Sequence, residues 1–121
     1  MTHYQQGYNF EAQFVKGLRA DPNVLMAERF LKSIGPVWGF DYENLDRWGN
    51  YKRKHAPIDV WWLTKDGRSH YAQLKKGDYG IHTPEMLDLI MFAQYCGAMA
   101  EVYLISKKGK QVHTWKIGHI Y

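Results

Sequence analysis

An α/β fold, a mixed β-sheet flanked by helices, is what this sequence predicts, and three stretches carry the prediction. From Ala56 to Lys76, two runs rich in β-branched and aromatic residues flank Lys65-Asp66-Gly67, the punctuation of a β-hairpin. Near the start, Phe10, Phe14 and Leu18 recur at helical spacing. Thr83-Pro84-Glu85 opens a second helix, apolar over most of its circumference and stopped by Gly97, and two strand-like runs follow it.

In chain order, Asn9 to Arg19 reads as the first helix, with Asn9 as its cap and Glu11 bordering the apolar stripe. Asp21-Pro22-Asn23 is a turn, and Val24 to Leu31 is open between helix and strand on propensity. From Pro36 to His55 the composition changes to Trp38, Phe40, Tyr42, Trp48 and Tyr51 interleaved with Arg47, Lys52, Arg53 and Lys54. Cations and exposed rings suit a phosphate backbone and unstacked bases. Asp41, Glu43 and Asp46 suit equally a segment packed over the domain by its own aromatics. Gly35, Gly39, Gly49 and Asn50 make it a long loop inserted at about 36–55. Gly77 to Gly80 is a turn, and Glu101 to Ser106 and Gln111 to Ile117 are strands joined by Lys107-Lys-Gly-Lys110.

The 121 residues fit one domain with a core of its own. A net charge of +4 leans toward a polyanion without identifying one. The single cysteine, Cys96, excludes an internal disulfide framework and a cysteine zinc site, and predicts a reducing compartment. The start has no apolar leader and no run approaches a membrane span, so a soluble, cytoplasmic protein is expected. The histidines show no paired ligand spacing, and no glycine-rich phosphate loop, nucleophile elbow or internal repeat is present.

One charged residue interrupts each strand of the central hairpin, Asp59 in the first and Lys75 in the second. Register decides whether they meet, because strand side chains alternate faces. A two-residue Asp66-Gly67 turn would set Asp59 opposite Leu74 and scatter the polar groups. A three-residue Lys65-Asp66-Gly67 loop, closed by Gly67 in the left-handed region, sets Asp59 opposite Gln73 with Lys75 two positions on. Asp59, Gln73 and Lys75 then converge at one end of the hairpin, and Ile58, Val60, Trp62, Ala72 and Leu74 form an apolar layer on the other face. A carboxylate, a second oxygen ligand and an ammonium suit a hard divalent cation and phosphodiester chemistry.

Pro57-x-Asp59 followed by Gln73-x-Lys75 resembles the signature of the PD-(D/E)XK nuclease superfamily, with Gln73 in place of the second acid. Gly7-Tyr-Asn-Phe-Glu11 opening a helix, Arg29, Ser33-x-Gly35, the hairpin, the second helix and a closing strand pair follow the order of archaeal-type Holliday junction resolvases. The segment between Gly35 and Asp59 is longer than in that pattern. The resemblance implies a restriction-endonuclease-like fold, makes Val24 to Leu31 a strand, and implies a Mg²⁺- or Mn²⁺-dependent endonuclease acting on branched or duplex DNA as a homodimer. Asp59, Gln73, the Leu74 carbonyl and Glu11 would then hold the metal or its water, with Lys75 beside the attacked phosphate. Arg29, Ser33, Arg47, Lys52, Arg53, Lys54 and Lys76 would contact DNA. Three alternatives stay open: a restriction-type nuclease on linear duplex, a DNA-binding module without catalysis, and a protein-interaction domain whose charged triad is a salt-bridged strand end.

Overall fold

Five strands form a mixed sheet in the order β1-β4-β5-β6-β7, and a separate pair, β2-β3, stands outside it. The structure is a computed structural model that describes residues 3–30, 37–55, 57–76, 83–98 and 100–117. In chain order its elements are α1 (His3–Ala20), β1 (Val24–Arg29), β2 (Val37–Leu45), β3 (Tyr51–His55), β4 (Val60–Thr64), β5 (Ser69–Lys76), α2 (Thr83–Cys96), β6 (Ala100–Lys108) and β7 (Gln111–Ile117). Among the described strands only β5 and β6 pair in parallel, as the α2 crossover between them requires. The α/β class is therefore the one the sequence predicts.

A sheet covered on both faces needs apolar residues at odd and even strand positions, and the two cores show this. On one face, Phe10 and Val15 of α1 pack on Ala27, Val60, Trp62, Ala72, Leu74 and Ile105. Phe14 meets Phe10 and Trp62 edge-on, at centroid distances of 6.2 and 5.8 Å. On the other face, Leu89 and Ala93 of α2 pack on Ile58, Val102 and Leu104, with Tyr71 and Phe92 in edge contact at 5.2 Å. Half-buried Cys96 packs on this second core, and burial raises its thiol pKa. Among the described residues, no helix is long and apolar enough to cross a membrane.

Four expectations change. Helix α1 starts at His3, so Asn9 lies inside it rather than capping it; the Phe10, Phe14 and Leu18 stripe marks the buried face and not the full length. The expected loop at 36–55 is instead the β2-β3 hairpin. Trp38, Phe40 and Tyr42 alternate with Gly39 and Asp41 in a strand period, and the glycines sit at an irregularity and a turn rather than ending the strands. Ile58 does not share a layer with Val60 and Trp62, because the chain leaves the β4 ladder at Asp59 and turns Ile58 into the α2 core. Finally, Leu89 of the apolar second helix is buried, whereas Leu87, Met91 and Tyr95 form an exposed stripe along it.

Candidate active site

The β4-β5 register runs from Leu63↔Ser69 to Val60↔Ala72 and does not extend to the expected Asp59↔Gln73 pair, because Asp59 as well as Val60 lies against Ala72. Thr64 N–H donates to the Arg68 carbonyl and Gly67 N–H to the Thr64 carbonyl, at 3.1 and 3.0 Å, so the connection is the three-residue loop. Gly67 closes it at φ 82°, where a side chain would be strained.

Asp59 is 4% exposed. Its N–H donates to the Ala72 carbonyl at 2.9 Å, and its carbonyl accepts from Phe30 N–H at 2.8 Å. Its main chain is thus clamped between β5 and the end of β1. Continued by one more pair, the ladder would give the Leu74 N–H to the Ile58 carbonyl; with Ile58 turned away, Asp59 Oδ2 accepts that N–H at 2.8 Å. A carboxylate therefore replaces a main-chain acceptor at the strand end, a stronger bond than the one it replaces.

The other groups lie toward this end of the sheet but are divided between its faces, Glu11 with Arg29 on the α1 side and Lys75 with Glu85 on the α2 side. Gln73 and Lys75 lie near the end of β5, and Arg29 is the last residue of β1, opposite Val60. Lys75 Nζ stands 2.8 Å from Oε2 of Glu85, in the first turn of α2. That oxygen is buried and has no aligned hydrogen bond, so the contact is an ion pair made by proximity. From the α1 face, Glu11 Oε2 accepts from Arg29 Nη2 and Nε at 2.8 and 3.2 Å, and Oε1 takes no part in the pair. Arg29 is thus engaged by Glu11, while Glu28 pairs with Arg19 at 3.2 Å, so Arg29 is not a surface arginine beside Glu28. Between α1 and β1 a shallow cleft is lined by Ala12, Val15, Arg19, Glu28 and Arg29.

Lys76 ends β5 half-buried, opposite Lys107. Lys52, Arg53 and Lys54 lie on β3, and Arg47 is at the tip of the β2-β3 hairpin. Ser33 lies outside the described residues. Among the described residues, no three His, Cys, Asp or Glu side chains converge on one point. Glu85 is the addition: a first-turn acid reads as a helix-dipole partner, and its contact with Lys75 needs α2 to be packed beside β5.

The other end of the same hairpin carries a second polar cluster that sequence reading missed. His70 is buried and stacked on Trp62 at 5.0 Å, with Tyr103 stacked beyond at 6.1 Å. Its Nδ1 lies 3.3 Å from Glu101 Oε2, and its Nε2 lies 3.1 Å from Thr64 Oγ1. Thr64 also donates to Asp66, and Glu101 accepts from the Tyr103 hydroxyl and, at 3.1 Å, from Lys116. Burial lowers the His70 pKa against the opposing pull of Glu101. The Tyr103 hydroxyl and Lys116 hold Glu101 below the usual carboxylate range, while burial and the Glu101 charge push Tyr103 up.

No protein-family model matches the chain, and no curated protein does. The fold is similar to that in a crystal structure of SSO0001, at 15% identity and a TM-score of 0.53, over 96% of this chain and 52% of the other. The chain thus spans about half the length of that protein, and at this identity the likeness concerns the fold alone.

Proposed function

We propose that the chain is a divalent-metal-dependent endonuclease hydrolysing DNA phosphodiesters, with a restriction-endonuclease-like fold of the PD-(D/E)XK kind and the four-way junction as its substrate. The observation that supports this is the buried Asp59 carboxylate at the sheet end, bonded to the N–H of Leu74, the residue between Gln73 and Lys75. The donors there are all oxygen, and Glu85 Oε2 adds a buried acceptor without an aligned hydrogen bond, a set that fits a hard cation such as Mg²⁺ or Mn²⁺. Bound there, such an ion offsets charge on the attacked phosphate and lowers the pKa of an attacking water.

The chain's own residues do the rest. Asp59, the Gln73 amide oxygen and the Leu74 carbonyl are the ligands; a strand residue's carbonyl points to the same side as its N–H, which here is the Asp59 side. Glu11 Oε1 orients a water, while Oε2 stays with Arg29. Lys75, positioned by Glu85, neutralises the developing phosphate charge. Cutting a junction symmetrically takes two such sites, so a homodimer follows, with Leu87, Met91 and Tyr95 as its contact stripe.

A labelled four-way junction and a linear duplex, incubated with Mg²⁺, Mn²⁺ or chelator, test the assignment. Asp59→Ala and Lys75→Ala should each slow cleavage by about a hundredfold or more. Gln73→Glu should lower the half-saturating metal concentration, since a carboxylate is the better ligand. Near-wild-type turnover from either alanine variant removes the nuclease reading, and equal nicking of linear duplex by a monomer shifts it to the restriction type. Binding without cleavage in any metal supports a module without catalysis, a second reading favoured by the engagement of Arg29 and Lys75 with Glu11 and Glu85.

A further inference from the structure

We propose that the tip of the β2-β3 hairpin is a stacking platform for one unpaired nucleobase, with Trp48 as the ring and Arg47 as its cation. Trp48 is 71% exposed, the wrong place for a large ring whose only role is to fill a core. The tip is nevertheless built firmly. Asp46 N–H donates to the Asn50 carbonyl at 2.7 Å, Gly49 N–H donates to the Asp46 carbonyl at 3.1 Å, and Gly49 takes φ 82°. Asp46 Oδ1 accepts from Trp48 N–H and Asn50 N–H, both at 2.9 Å. The guanidinium carbon of Arg47 lies 4.2 Å from the centre of the Trp48 ring. A fixed ring with a cation already on it offers one flat face, at low entropic cost, to one more planar group.

Charge names the partner. Over the whole hairpin, 37–55, Arg47, Lys52, Arg53 and Lys54 stand against Asp41, Glu43 and Asp46; Asp41 lies opposite Lys52 in the ladder and the Asp46 carboxylate is occupied in the turn, which leaves Arg47 as the cation beside the ring. A ring set in such a run suits a base on a phosphate backbone. In continuous duplex both faces of a base are covered by its neighbours, so the platform selects a base left unstacked at a branch, bulge or flap. Only three residues separate His55 from Asp59, a span of at most about 14 Å, so the hairpin is tethered beside the proposed cleavage site. The inference rests on the nuclease reading for its choice of DNA over a protein partner.

The full chain, in chelator so that nothing is cut, is titrated against a duplex carrying one unpaired 2-aminopurine at a branch and against the same base in continuous duplex. The wild type should prefer the unpaired base by about tenfold or more and quench its fluorescence, as stacking on one ring is worth. Trp48→Ala should lose both the preference and the quenching while binding continuous duplex as the wild type does, and Trp48→Phe should keep most of each. An alanine variant that retains the preference, or a wild type that has none, overturns the proposal. Binding of a protein partner with no DNA preference does so too. The two readings fail separately: preference without Mg²⁺-dependent cleavage removes the nuclease and keeps the platform, and cleavage without preference does the reverse.

Discussion

Two hairpins in this chain are closed by the same turn and put to different use. In β4-β5, Thr64 and Arg68 flank Lys65-Asp66-Gly67; in β2-β3, Asp46 and Asn50 flank Arg47-Trp48-Gly49. Each loop ends on a glycine at φ 82°, and in each an aspartate Oδ1 accepts main-chain N–H groups of the turn. The sheet each belongs to is what differs. The β4-β5 strands lie inside a five-stranded sheet between two helices, whereas β2-β3 is a two-stranded sheet of its own. A two-stranded sheet supplies few ladder bonds of its own, so its tip leans on local side-chain bonds. In β4-β5 the middle loop residue, Asp66, itself holds the turn, whereas in β2-β3 the flanking Asp46 does so and leaves the middle position to a displayed Trp48.

The largest test of that contrast compares the two aspartates. Asp59→Ala leaves the Leu74 N–H without its acceptor in a buried setting and should cost about 1–3 kcal/mol of global stability. Asp46→Ala should loosen only the exposed tip and leave the main unfolding transition within about 0.5 kcal/mol. Equal losses in chemical denaturation would mean that the two hairpins unfold as one unit.

Next comes the turn itself. Gly67→Ala forces a side chain into the left-handed region and should destabilise the sheet by about 1 kcal/mol. Gly49→Ala meets the same backbone constraint with equally open surroundings, yet should move only the amide exchange of β2-β3. A matching shift in global melting from both would dissolve the distinction.

The smallest effect is titration at buried His70, beside the β4-β5 turn. His70 sits below the ordinary imidazole value of 6.5, so as pH falls past 6.5 the unfolded chain takes up a proton before the folded one. That contribution is complete above this value and is lost as pH falls through the folded pKa. Glu101, lowered from 4.5, keeps its contribution above that value and loses it as pH falls through its own folded pKa. Burial and the Glu101 charge act on His70 in opposite directions, which keeps the change small. Melting temperature should decline from pH 7.5 to 5, and His70→Phe, which retains a ring against Trp62, should flatten the decline. A parallel slope in the variant would place the titration elsewhere.

How much of this was legible follows from sequence distance. Lys65-Asp66-Gly67 announces its own turn, and with it the register from Leu63↔Ser69 to Val60↔Ala72, but not the departure of Asp59 from that ladder. Asp46-Arg47-Trp48-Gly49-Asn50 holds the same spacing, but the glycines around it read as loop. The pairs Glu11 with Arg29 and Lys75 with Glu85 join residues brought together only by the packed sheet and helices. His70 reads as a lone histidine because Glu101 reaches it through the parallel β5-β6 pairing, after a whole helix has intervened. Local signals fix turns and registers, whereas charge partners across elements depend on topology.

Leu74 carries a last consequence. Its amide proton is held by the Asp59 carboxylate where ladder neighbours are held by peptide carbonyls, so its resonance depends on the charge of a single side chain. Any cation that draws electron density from that carboxylate weakens the pull on the proton and moves the peak. One cross-peak in the spectrum of a ¹⁵N-leucine sample therefore reports the state of the site, in a protein that has not turned over a single substrate.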